Sequence, residues 1–191
     1  MIQESHNIEY KSSWRDEYLK WICGFANAQG GKLYIGKDDN GKVIGVPDAK
    51  RLMEDIPNKI TNVLGIVADV NLLETSEGNC IEISVSPQSN PVNYKGEYHY
   101  RSGKQELKGA ALDKFLLGKQ GKHWDSVLYP NVSVAELKAD TFNFFRKRGI
   151  KARRLDDDTL SDSNELLLNN LKLTENGQLK RAALLLFHPD P

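Results

Sequence analysis

Two glutamates, Glu4 and Glu9, stand five residues apart, and an acidic pair, Asp38 and Asp39, follows a short apolar run. If the segment 33–37 lies beside the segment 8–11, these carboxylates converge. Three convergent carboxylates hold a hard divalent cation, Mg²⁺ or Mn²⁺, through oxygen ligands. Such a cation activates water and stabilises charge on a phosphodiester. Glu4, Glu9 and Asp38 are therefore candidate metal ligands, and with Asp39 they are candidate catalytic groups. Spacing alone does not choose between the two aspartates. Lys11, two residues past Glu9, is a candidate phosphate contact. The same residue types also have ordinary uses, because surface strands carry Glu and Lys on their wet face and Asp-Asp-Asn-Gly is common turn chemistry.

A second group runs Tyr98-His99-Tyr100-Arg101-Ser102-Gly103-Lys104. Tyr98 and Tyr100 could stack on bases while Arg101 and Lys104 hold phosphates; a tyrosine-rich strand with a basic end reads the same way. A third group, Arg146-Lys147-Arg148 with Lys151, Arg153 and Arg154, could meet phosphates. It also suits a helix C-terminus, where cations complement the dipole. The sequence holds no P-loop and no G-x-G-x-x-G fingerprint, and no Ser, Cys or His stands in a nucleophile motif.

The elements that must position these residues follow from periodicity. Ile8 to Lys11 alternates as a half-buried strand does. Ser13-x-x-Asp16 predicts a capping box for a helix whose apolar stripe is Trp14, Tyr18, Trp21, Ile22 and Phe25 and which ends at Gly30-Gly31. Leu33 to Gly36 is a strand, Asn40-Gly41 a tight-hairpin turn, and Val43 to Val46 the returning strand. Asp48 caps a second helix over Leu52, Met53, Ile56, Ile60 and Val63, kinked or divided at Pro57. Strands near 67–73 and 80–85 join through 76–79. A strand at 94–101 breaks at Lys95-Gly96, and a helix spans 107–117. Ser133-x-x-Glu136 opens a further helix that stops at Gly149, and a short one spans 164–171. Ala182 to Phe187 is a continuous apolar run, expected to be a strand buried on both faces. This order predicts an α+β fold, a mixed sheet with packed helices, plus a helical C-terminal extension ending in a strand. Such a strand needs neighbours, so the chain is expected to be cut down from a longer protein.

The 191-residue chain has 26 basic and 26 acidic residues, which counts against a strongly basic nucleic-acid binder but leaves room for a local patch. Cys23 and Cys80 lack zinc or disulfide spacing. No leader and no membrane-length apolar run is seen, so a cytoplasmic location is expected.

Glu4, Glu9-Tyr10-Lys11, Phe25-Ala26-Asn27-Ala28-Gln29-Gly30-Gly31-Lys32-Leu33-Tyr34-Ile35-Gly36, Asp38-Asp39-x-Gly41 and Val43-Ile44-Gly45-Val46 together resemble the Schlafen AlbA-type domain. Tyr100-Arg101-Ser102-Gly103 resembles its closing element. The resemblance places that domain at 4–118, and leaves 119–191 as a linker, helices and the start of a truncated second domain, expected to bind ATP in the full-length protein. It implies a DNA-binding N-terminal module of a bacterial transcriptional regulator or helicase-related protein. Its RNA-cleaving animal relatives use two glutamates and an aspartate, which implies a second reading, a metal-dependent nuclease. A third is an interaction domain that assists the ATP-binding part. Lys37 departs from the family, which has an apolar residue before the acidic pair. The absence of zinc ligands and of net positive charge departs from the animal enzymes. The expected partners are DNA or RNA and, as self-association, a homodimer, with no membrane; the expected cofactors are Mg or Mn.

Overall fold

The computed structural model describes residues 6–100 and 105–190. Its contacts divide the chain into two compact units, 1–120 and 121–191.

The first unit is built on a four-stranded sheet. β1 (Ile8–Lys11) pairs in parallel with β2 (Gly31–Ile35), and the helix α1 (Leu19–Asn27) joins them. The helix α2 (Ala49–Leu64) leads to the hairpin of β3 (Asp69–Thr75) and β4 (Gly78–Val85). β4 returns antiparallel to β2, giving the order β1-β2-β4-β3. The mixed sheet with packed helices makes the fold α+β. Alternation puts Leu33, Ile35, Ile81 and Ile83 on one face, where they are fully buried against Ile22 of α1 and Ile60 of α2.

Several local expectations are corrected. Ser13 caps nothing: α1 starts at Leu19 after a 3-10 turn at 16–18, because Asp16 spends its carboxylate on Trp14 Nε1 (2.9 Å) and Lys59 Nζ (2.6 Å). Val43 to Val46 forms no strand. β2 is already flanked on both edges by β1 and β4, so the returning chain finds no free edge; it makes one bridge, Lys37 with Val43, and then leaves. Asp48 precedes α2 in a left-handed conformation without a side-chain cap, and α2 runs through Pro57 undivided. After the sheet, Lys95 and Gly96 both take positive φ in a tight turn, and β5 (His99–Tyr100) pairs with β6 (Gln105–Glu106) ahead of α3 (Gly109–Lys119).

The second unit has its own core. α4 (Ala139–Lys151) packs with α5 (Asn164–Asn170) and α6 (Arg181–Phe187), around a hairpin of β7 (Thr174–Glu175) and β8 (Gln178–Leu179). Phe142 and Phe187 stack with ring centroids 4.2 Å apart. The Ser133–Glu136 capping box forms, but around a 3-10 turn at 134–136, so α4 begins only at Ala139. Gly149 does not stop α4; it makes room for Leu155, whose side chain would lie 2.5 Å from a Cβ there. The expected buried strand at 182–187 is the helix α6. Ala183 and Phe187, one turn apart, are buried, while Leu185 and Leu186 are half exposed, a helical pattern that a short unbroken apolar run conceals.

Candidate nucleic-acid interface

Of the expected carboxylates, the described ones, Glu9, Asp38 and Asp39, occupy different settings. Glu9 sits opposite Leu33 in the β1–β2 register, on the face that meets α1, and is 5% exposed. A carboxylate there needs a partner, and Lys11 supplies it at 2.5 Å. The Lys11 ammonium in turn lies 5.4 Å from the Trp21 ring centre and 5.8 Å from that of Tyr18. Lys11 is thus committed to Glu9 and to the start of the helical layer. Asp38 Oδ1 accepts the backbone N–H groups of Asn40 (3.0 Å) and Lys42 (2.9 Å), organising its own turn, and Asp39 is exposed beside it. Glu4, Arg101 and Lys104 lie outside the described residues. Among the described residues no group of three His, Cys, Asp or Glu side chains is placed to hold a metal ion. Both thiols are buried and free, and burial pushes Cys23 up to about 11.

A polar network covers the sheet face opposite α1 and α2. Tyr10 and Tyr34 are cross-strand neighbours with ring centres 5.6 Å apart, and Lys37 Nζ lies 4.1 Å from the centre of the Tyr34 ring. Tyr34 donates its hydroxyl to Glu82 (2.6 Å), and Lys32 donates to the same oxygen (3.0 Å). Burial and Glu82 together push the Tyr34 phenol up, so it stays protonated. Burial also pushes the Glu82 carboxyl up, but the Tyr34 and Lys32 hydrogen bonds and the Lys32 and Lys37 charges outweigh it and hold the group below its ordinary 4.5. A depressed carboxylate stabilises the fold above its unfolded pKa and stops doing so as pH falls through the folded one. Glu82→Gln is therefore expected to flatten the loss of stability on acidification below about pH 4.5, as read by denaturant midpoints across acid pH.

The third setting is an aromatic groove. Tyr98 and Tyr100 are two residues apart and both turn toward α3, with ring centres 6.3 and 5.9 Å from that of Phe115. Tyr100 and Phe115 line a groove of about 570 Å³ with Ala28, Leu107 and Ala111, with Lys114 and Lys119 on its α3 side; Tyr98 backs Phe115 from outside the lining. Lys119 donates to the Gln88 carbonyl and lies 5.7 Å from the Phe115 ring centre; burial pulls its ammonium pKa down. Tyr98 and Tyr100 were legible as stacking candidates. Phe115, Lys114 and Lys119 were not, because they sit in an ordinary-looking helix that only the fold brings to the tyrosines.

The groove is held in register by Asn27. Its side-chain amide donates to the carbonyls of Val92 (2.7 Å) and His99 (2.8 Å), and its oxygen accepts the Val92 N–H (2.8 Å). One buried residue thereby ties the segment entering β5 to the end of α1. Of the third sequence cluster, Arg146 is 4% exposed and bonded inside the second unit, while Arg148 lies over the exposed Phe144 ring at 4.9 Å.

No curated protein matches the sequence. Among solved structures, the chain is similar to the DIP2311 protein from Corynebacterium diphtheriae, at 16% identity and TM-score 0.48, over 96% of this chain and 40% of that one. It is also similar to the N-terminal domain of a RecG-related protein from Nitrosomonas europaea, at 22% identity and TM-score 0.40, over 57% of this chain and 86% of that one. The chain thus spans about two-fifths of the length of the corynebacterial protein. The family model described as Schlafen, AlbA_2 matches residues 4–110, more than half of the sequence, and the chain belongs to that family.

Proposed function

We propose that the first unit is a nucleic-acid-binding module, acting on DNA as the N-terminal part of a transcriptional regulator. The observation that carries this reading is the aromatic pair of Tyr100 and Phe115, backed by Tyr98 and edged by Lys114 and Lys119. Such a pair offers base-stacking faces beside cations that meet phosphates. In the sequence it continues directly into Arg101 and Lys104. Family membership supports the same reading. With a neutral net charge, phosphate binding has to come from a local patch such as this one. No helix among the described residues is long and apolar enough to cross a membrane.

The test is fluorescence anisotropy of labelled DNA and RNA oligonucleotides titrated with the 191-residue chain at several salt concentrations. Binding at low ionic strength that falls linearly in log–log form with salt is expected. Lys114→Ala should reduce that slope by about one. Absence of binding to every oligonucleotide at low salt would overturn the proposal.

A further inference from the structure

From the shape and lining of the groove we infer that it takes a single unstacked base of a single strand, with its phosphate on Lys114. This rests on the nucleic-acid reading above and narrows it from nucleic acid in general to unpaired nucleotides. Three observations converge. The groove's volume of about 570 Å³ lies in the range of sites for small organic ligands, so a base with its sugar fits where a duplex does not. One aromatic wall, Phe115, is braced by Tyr98 and Tyr100 at inclined angles of 55° and 70°. That fixes the ring with the Lys119 ammonium near one face and no aromatic ring stacked parallel on it, so a base can supply the parallel contact.

The lining is also selective in charge. A second recess of about 180 Å³ is lined by His6, Asn7, Gln29 and Gly30 and shares Ala28 and Tyr100 with the first. Among the described residues, neither recess is lined by a carboxylate, and Lys114 makes no ion pair. In a chain with equal numbers of acids and bases this is a local excess of cations. A strand can cross Tyr100 from one recess to the next, with its phosphates on the lysine side and its bases turned inward. A base held in a duplex stack cannot enter either recess without being extruded.

The experiment uses the 191-residue chain with three probes: a single-stranded oligonucleotide carrying 2-aminopurine, the same sequence as a duplex, and a free mononucleotide. The single strand should bind more tightly than the duplex, and its 2-aminopurine emission should be quenched on binding. Phe115→Ala should weaken single-strand binding by roughly five- to a hundred-fold, the range of one base–aromatic stack, and leave duplex binding within about twofold. Because Phe115 also packs on the tyrosines, Lys114→Ala is the companion variant; its side chain is exposed, and it should lower single-strand affinity with the fold intact by circular dichroism. Equal affinity for both forms, or unquenched binding unaffected by Phe115→Ala, would overturn the base groove while leaving nucleic-acid binding standing. Tight binding of the mononucleotide with no binding of oligonucleotides would overturn both, and reassign the groove to a free nucleotide.

Discussion

Replacing Asn27 with alanine should lower the stability of the first unit by about 3–5 kcal/mol, summing the cost of buried backbone groups left without partners. The residue is 2% exposed, and its amide makes three hydrogen bonds to backbone atoms of the segment 92–99 besides a longer contact to Cys23 Sγ. Removing the side chain strands the Val92 N–H and the His99 carbonyl in a dry site. Cys23 Sγ can still donate to the Val92 carbonyl at 3.3 Å, which sets the loss below the full sum. For a unit of this size the midpoint of thermal unfolding should fall by about 10–20 °C. Differential scanning calorimetry of the variant against the parent measures it. A drop of under two degrees would show that the segment is held by something else.

Asn27→Asp separates hydrogen bonding from shape. The carboxylate is isosteric and still accepts the Val92 N–H, but it faces two carbonyl oxygens that the amide had satisfied. Its buried charge raises its folded pKa above the unfolded one. A raised carboxyl is relieved by protonation, so this variant should regain stability as pH falls toward that of the unfolded acid, opposite in sign to the Glu82 contribution. The consequence reaches function because the same bonds aim β5 and its tyrosines at α3. Weaker oligonucleotide binding is expected at neutral pH, with partial recovery in mild acid.

The alternating and three-to-four patterns were enough to locate β1, α1, β2, α2, β3 and β4, because each is an element with one apolar face and the core demands that pattern. What escaped depends on neighbours. The dipeptide Asn-Gly occurs at 40–41 and at 176–177. Only the second makes a two-residue hairpin, with Asn176 and Gly177 both at positive φ between β7 and β8. The first is overruled because β2 has no vacant edge, a property of the sheet order and not of residues 37–46. The capping residues show the same dependence. Ser13 lost its helix start to an aspartate that Trp14 and Lys59 had engaged, and Lys59 is distant in sequence. At the candidate site, Glu9 and Lys11 were legible as a pair of charges two apart. Their mutual commitment was not, since it follows from the parallel register that turns both toward α1.

Arg146 carries the same lesson to its largest consequence. In sequence it is one of six cations in a basic run, but in the fold it is an internal brace. Its guanidinium donates to the carbonyls of Thr159 (2.9 Å), Asp162 (2.9 Å) and Ser163 (3.3 Å) and to Asn164 Oδ1 (3.0 Å). Those acceptors span the turn 157–160 and the start of α5, where Ser163 caps the helix by accepting the Leu166 N–H at 3.1 Å. All four acceptors are neutral, so the charge is distributed over a fixed fork, a geometry that lysine's point charge cannot copy. Arg146→Ala should cost the second unit about 3–5 kcal/mol, with desolvated carbonyls and a lost stem both contributing. Arg146→Lys should recover less than half of that, since one ammonium cannot reach acceptors on both sides of the brace. Urea denaturation of both variants reads the difference. Because the side chain is buried, Arg146→Lys should also leave the salt slope of oligonucleotide binding unchanged; a slope lower by about one would place the residue on a phosphate instead.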